Sequence, residues 1–316
     1  MKPNKTKDEN TNTDNTGIMK ERSFASCLSA SFNLYCSNFA TIFKHTWLPS
    51  LVLALTMSAG TLLTAAPLSV TVTAALGVCV VAAMTIIGAW FDASYMSLFN
   101  GMTRRQTTKR ALCVRVLDIG CGLVSGLLIL GVMLAIFAIA LSIKTLKTRI
   151  AFIAVAEIPA TVVTLIIIIV VCIPLIYSFM SYLADPTTTP RQIFTSRYRR
   201  GWHNWGYLFA VTALTALVMA VVVFVLSAPS LVLSAALGAN HTGMLLGDPD
   251  GIPSNFLLLY YVSNAIVLFV FNYTMIWTFL TVFHAYGSIE CKTERKKKEL
   301  AHADNIYHIQ TLKIRQ

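Results

Sequence analysis

Acidic residues are scarce in this chain: Asp and Glu number 14 of 316, and charged residues of both signs make up only 12%. A soluble domain carries about a quarter charged residues, so this composition excludes a surface solvated by water over most of its area. Catalytic signatures are lacking as well. No Walker loop, nucleophile elbow or accessible pair of catalytic carboxylates is recognisable. The six histidines, at 45, 203, 241, 284, 302 and 308, show no metal-ligand spacing. The expectation is therefore a chain with no catalytic residues, no metal site and no cofactor. All seven cysteines fall in apolar spans or in basic segments, none on an outer loop, which predicts no disulfide. A cleavable signal peptide is not expected, because the first long apolar run follows a polar head rather than a short basic one.

What is abundant is apolar length. Hydrophobic residues make up 56% of the chain and the mean hydropathy is +0.66. Six stretches, at 47–66, 70–90, 119–143, 158–183, 206–237 and 256–284, reach the roughly 20 apolar residues that cross a hydrocarbon core of about 30 Å. The expected fold is all-α: a polytopic integral membrane protein with six transmembrane helices in three hairpins, joined by amphipathic interfacial helices. The expected domains are a disordered tail over 1–22, a six-helix membrane domain over 23–288 and a basic tail over 289–316. Intramembrane ionisable groups mark ion-coupled transport. None is expected deep in these spans, which counts against a proton-driven carrier.

The net charge of +11 comes from 25 Lys and Arg, and their placement is lopsided. Only Lys144, Lys147 and Arg149 fall on the far side of the spans. The positive-inside rule then puts both termini in the cytoplasm of a bacterial inner membrane and makes the basic balance a matter of topology rather than of nucleic acid.

Three segments read as surface helices. In residues 24–43 the large apolar side chains Phe24, Leu28, Phe32, Tyr35, Phe39 and Phe43 recur in steps of four and three, one helix face. A fainter version surrounds Leu112, after the Asn100-Gly101 turn signal. A third follows the break at Asp185-Pro186 and carries Arg197, Arg199, Arg200, Trp202 and Trp205, a composition suited to the headgroup layer. Offset by 166 residues, Phe32 meets Tyr198, Asn38 meets Asn204, Phe39 meets Trp205 and Phe43 meets Phe209, a hint of internal duplication. With the cluster Arg295, Lys296, Lys297 and Lys298, these residues are the expected contacts for anionic lipid.

Three finer features qualify this picture. Pro174 should kink the fourth span and leave a carbonyl for a neighbouring helix to satisfy. Gly122 and Gly126 have the spacing that lets a span pack closely on its neighbour. Asn264 and Asn272 share one face of the sixth span, either as a polar lining or as interhelical hydrogen bonds.

Residues 24–56 and 193–212, each a Phe/Tyr-rich segment ending in an Asn-aromatic pair before a span, resemble a group of bacterial six-span membrane proteins of unknown function. That group is similar to the membrane domain attached to some glycerophosphodiester phosphodiesterases. The catalytic domain of that enzyme has no counterpart here, and its activity is not implied. The expected function is a non-enzymatic scaffold or accessory protein that engages the lipid bilayer, with a protein partner left open. A transporter or permease-like component for a small solute or lipid, and a lipid-modifying enzyme, stay open as alternatives.

Overall fold

The computed structural model describes residues 20–65, 69–143, 145–249, 251–253 and 255–314, with side chains omitted at 64–65, 146–154 and 303–314. Most of the polar head, the turn after the first span and the three far-side cations lie outside the described residues or side chains. Eight helices are described, with no strand among the described residues. They are α1 (Phe24–Ala65), α2 (Val70–Met96), α3 (Arg104–Leu141), α4 (Leu146–Ala184), α5 (Pro190–Ile193), α6 (Ser196–His203), α7 (Trp205–Leu245) and α8 (Phe256–Ile314).

Six of the eight are long and apolar enough to cross a membrane. Helix is the only form in which such a segment satisfies its own backbone without water. The many Ser and Thr hydroxyls inside the spans follow the same rule by donating to their own helix, as Thr46 does to the carbonyl of Ile42 and Thr215 to that of Val211, both at 2.7 Å. Val70 is 85% exposed and Phe224 73%, surfaces suited to lipid rather than water.

α1 and α8 form an antiparallel pair, the most extensive contact in the molecule. Its polar rungs run from Ser31–Thr281 at 2.7 Å, through Asn272 to the carbonyl and hydroxyl of Ser50, to Asn264–Thr61 at 2.8 Å. α2 packs on α1, α3 on α2, and α4 on α3, while α7 packs on the other side of α8.

Packing is concentrated at one end of this bundle. The buried residues of α2 are confined to its last turns, Gly88 to Met96, and those of α7 to Leu208, Val211, Thr215 and Met219 near its start. Two apolar clusters form the core there, one around Ile42, Phe91, Tyr95 and Leu280, the other around Ile173, Tyr177, Leu208 and Phe283. Most Lys and Arg among the described residues lie at this same end, which we call the basic end.

Residues 24–43 depart from the expected surface helix: they are one piece with the first span in the 42-residue α1. Nothing between Phe43 and Trp47 breaks a helix, and two small side chains of the segment, Cys27 and Ser31, turn inward. Ser31 is fully buried on Thr281, and Cys27 lies 3.1 Å from the Tyr207 hydroxyl. The large apolar positions Phe24 and Phe32 stay exposed. Tyr35 packs on the core, and Phe39 and Phe43 lie against the Tyr273 ring of α8, so the large apolar side chains divide between the bundle and the exterior.

The matching segment after Asp185 does break. Pro190 opens α5, and Asn204 separates α6 from α7. Two local features repeat at the 166-residue offset. Asn38 donates to the carbonyl of Leu34 and Asn204 to that of Arg200, both at 3.0 Å. The Phe39–Phe43 ring pair is matched by Trp205–Phe209.

Gly122 and Gly126 also differ from expectation, because a side chain built at either meets open space. α3 is instead held through its first turns, where Thr107 and Ala111 are buried and Arg115 reaches Asp92 at 2.7 Å. That carboxylate also accepts from the Tyr95 hydroxyl at 3.1 Å, so two charges lie within the bundle as a bonded pair. Gly101, at φ 64°, makes the left-handed turn between α2 and α3, and Asn100 accepts the amide of Met102 to close it. α8 runs through residue 289 without a break, so the basic segment expected as a tail begins as part of the last spanning helix.

Candidate functional site

The basic end is organised by Pro174. Lacking an N–H, it leaves the carbonyl of Val170 without its helical donor, and the indole N–H of Trp205 takes that place at 3.1 Å. Tyr198 donates to the next carbonyl, Val171, at 3.1 Å. These bonds draw α6 and the start of α7 onto α4 so closely that a side chain on Gly201 would sit 2.7 Å from the Pro174 carbonyl oxygen. Sequence analysis anticipated that a neighbouring helix would satisfy the freed carbonyl, and it is Trp205 that does so.

With α6 fixed in this way, its cations sort to opposite sides. Arg197 turns inward and bonds Asp185 at 2.7 Å and Glu290 at 3.0 Å, its side chain only 17% exposed. Arg200 reaches both oxygens of Glu290, at 2.9 and 3.1 Å. The Tyr177 hydroxyl donates to the same carboxylate. Glu290 on α8 is therefore the hub that ties α4, α6 and α8 together. Burial disfavours the charged form of Arg200, but Tyr177 and Glu290 outweigh it and hold its pKa above the ordinary arginine value.

Asp185 follows directly on α4. Burial pushes its carboxyl up, yet hydrogen bonds from the Thr187 hydroxyl and amide and the Thr188 hydroxyl, with the charge of Arg197, hold it below the usual carboxylate range. The sign of the pH effect follows. Asp185 contributes stability that is fully present above its unfolded value, about 3.9, and is lost as pH falls through the lower folded value. Acidification from pH 5 toward 3 is expected to lower the thermal midpoint of the wild type more than that of Asp185→Asn. Parallel acid profiles would show that the group does not contribute.

Arg110 on α3 closes the end of α4. Its guanidinium donates to the carbonyls of Tyr182, Asp185, Pro186 and Thr188 at 2.5 to 3.4 Å and lies 4.6 Å from the Tyr182 ring centroid. A cation at a helix C-terminus satisfies orphan carbonyls and complements the dipole there. Asn100 adds a bond to the carbonyl of Leu183. Next to this network a cavity of about 540 Å³ opens, with Phe99, Phe283 and Tyr286 on its apolar side and Asp185, Glu290 and Lys297 among its charged residues.

Arg199 and Trp202 face outward, and Trp202 is 49% exposed. Lys296, Lys297 and Lys298 are exposed, while Arg295 is paired to Glu21 and Glu299. Asn264 and Asn272 are 8% and 4% exposed and spend their amides on Thr61 and Ser50. Sequence reasoning missed Asp185, Glu290, Tyr177 and Arg110. The available signal was the rarity of acids: Asp185 and Glu290 are two of only 14 in the chain, and each adjoins a basic segment where nothing about topology requires it.

Fold and site together define an all-α, multi-pass membrane protein with a tightly packed, ion-paired basic end. Comparison with protein-family models, with curated proteins and with solved structures finds no match to this chain.

Proposed function

We propose that this chain is a non-enzymatic scaffold or accessory protein of a bacterial cytoplasmic membrane, with its basic end toward the cytoplasm and in contact with anionic lipid. The observation that carries this reading is the sorting of α6. Arg197 and Arg200 are spent on Asp185 and Glu290 to hold the helix in place, which leaves Arg199 and Trp202 exposed, Arg199 beside the α8 cations. A cation and an amphipathic ring on one short helix suit the headgroup layer, where both find partners. The amides of Asn264 and Asn272 support a scaffold over a permease, since each is committed to a neighbouring helix.

The test is lipid retention. Full-length protein reconstituted in nanodiscs of equal phosphatidylcholine and phosphatidylglycerol, then released for native mass spectrometry, is expected to keep phosphatidylglycerol about threefold or more over its bulk share. A retained pool that mirrors the bulk would remove the lipid-engaging reading.

A further inference from the structure

A second cleft, of about 510 Å³, lies between α6 and α8. Its walls are two helical faces. Ser196, Arg199, Arg200 and His203 line it from α6, at steps of three and four, and Lys292, Thr293 and Lys296 from α8. Among the described residues no carboxylate lines it. Arg200 is offset by Glu290, but among the described residues Arg199, Lys292 and Lys296 make no ion pair. The adjoining 540 Å³ cavity differs in kind, because Asp185, Glu290 and Glu294 balance its cations. Of these two cavities, only the α6–α8 cleft carries cations with no carboxylate in its lining.

We propose that this cleft binds a phosphate-bearing anion, a phosphomonoester or pyrophosphate group. The proposal rests on the lipid-engaging reading only in placing this end at the headgroup layer. Three cations approach from two sides, Arg199 from α6 and Lys292 and Lys296 from α8, and Ser196 and Thr293 line the same cleft. A tetrahedral group with two or more negative charges offers acceptors in matching directions, the planar fork of Arg199 and the point charges of the lysines each finding an oxygen. The volume exceeds that of a single phosphate, which leaves room for a second phosphate or a glycerol unit. The source is either a lipid headgroup or a free phosphate compound.

The experiment uses the full chain in nanodiscs. In one arm, phosphatidylcholine discs are titrated with inorganic pyrophosphate by calorimetry. In the other, discs doped with phosphatidic acid are assayed for retained lipid by native mass spectrometry. Wild type is compared with Lys292→Gln/Lys296→Gln and with Lys298→Gln, which removes a charge from the same helix outside the cleft. Pyrophosphate binding points to a free ligand, and retention of phosphatidic acid alone points to a headgroup. Either supports the proposal if the double variant weakens it on the order of tenfold or more while Lys298→Gln changes it less than about twofold. An equal loss per charge in all variants would mean diffuse attraction and overturn it, as would absence of binding in both arms. Anionic lipid retained undiminished by the double variant sinks the cleft and leaves the scaffold reading standing. Cleft-dependent pyrophosphate binding without lipid enrichment does the reverse.

Discussion

Replacing Gly201 with alanine is expected to destabilise the protein by about 2 kcal/mol or more, and valine by more again. The added Cβ would lie 2.7 Å from the carbonyl oxygen and 3.1 Å from the Cα of Pro174, backbone atoms that cannot rotate away. Relief requires α6 to lift off α4, and lifting strains the Trp205–Val170 and Tyr198–Val171 bonds that satisfy the proline-disrupted turn. The loss therefore exceeds a simple contact. Gly206, five residues further on, is the control, since a side chain built there meets nothing within 4 Å. Gly206→Ala should be neutral or gain up to about 1 kcal/mol from helix propensity. Thermal unfolding in nanodiscs separates the two. Equal midpoints for the Gly201 and Gly206 variants would show that α6 does not sit on Pro174 as described.

Removing Glu290 is the second large effect. Glu290→Ala leaves Arg197 and Arg200 facing each other across a gap with the Tyr177 hydroxyl stranded beside them, in a place where the Glu290 side chain is only 12% exposed. Deleting one partner of a largely buried ionic network costs about 3 kcal/mol, because the remaining charges stay desolvated without compensation. Glu290→Gln keeps one acceptor and should fall between wild type and alanine. A double-mutant cycle with Arg200→Gln checks the origin of the loss: a coupling of about 1 kcal/mol or more is expected between contacting charges. Strict additivity would mean that the hub is crystallised by packing rather than by charge. Arg295→Ala, which removes a pair whose arginine side chain is 59% exposed, should change stability little by comparison.

These effects fall where the sequence was hardest to read. The six spans were legible because length and hydropathy are local quantities, and so was the consequence of Pro174, which follows from one missing N–H. Helix boundaries at the basic end were not. The two Phe/Tyr-rich segments look alike on paper, yet the first continues into its span while the second breaks at Asn204. The difference lies in Pro186, Pro190 and Gly201, which only the second possesses.

The arginines of α6 were assigned to lipid by composition alone. Residues 185, 197 and 290 become neighbours only when α4, α6 and α8 pack, and no period or spacing encodes that meeting. The glycines of α3 misled for a related reason: their spacing offers a close-packing face without saying that a partner takes it, and among the described residues none does.

The scaffold proposal stands or falls with contact between the exposed face of α6 and anionic lipid. The most direct measurement is photo-crosslinking from a benzophenone amino acid at position 202, in nanodiscs of equal phosphatidylcholine and phosphatidylglycerol, with the crosslinked lipid identified by mass. Adducts dominated by phosphatidylglycerol are expected, with a drop toward the bulk ratio when Arg199→Ser is added. Adducts that match the bulk composition, or a position 202 that captures no lipid at all, would contradict the proposal.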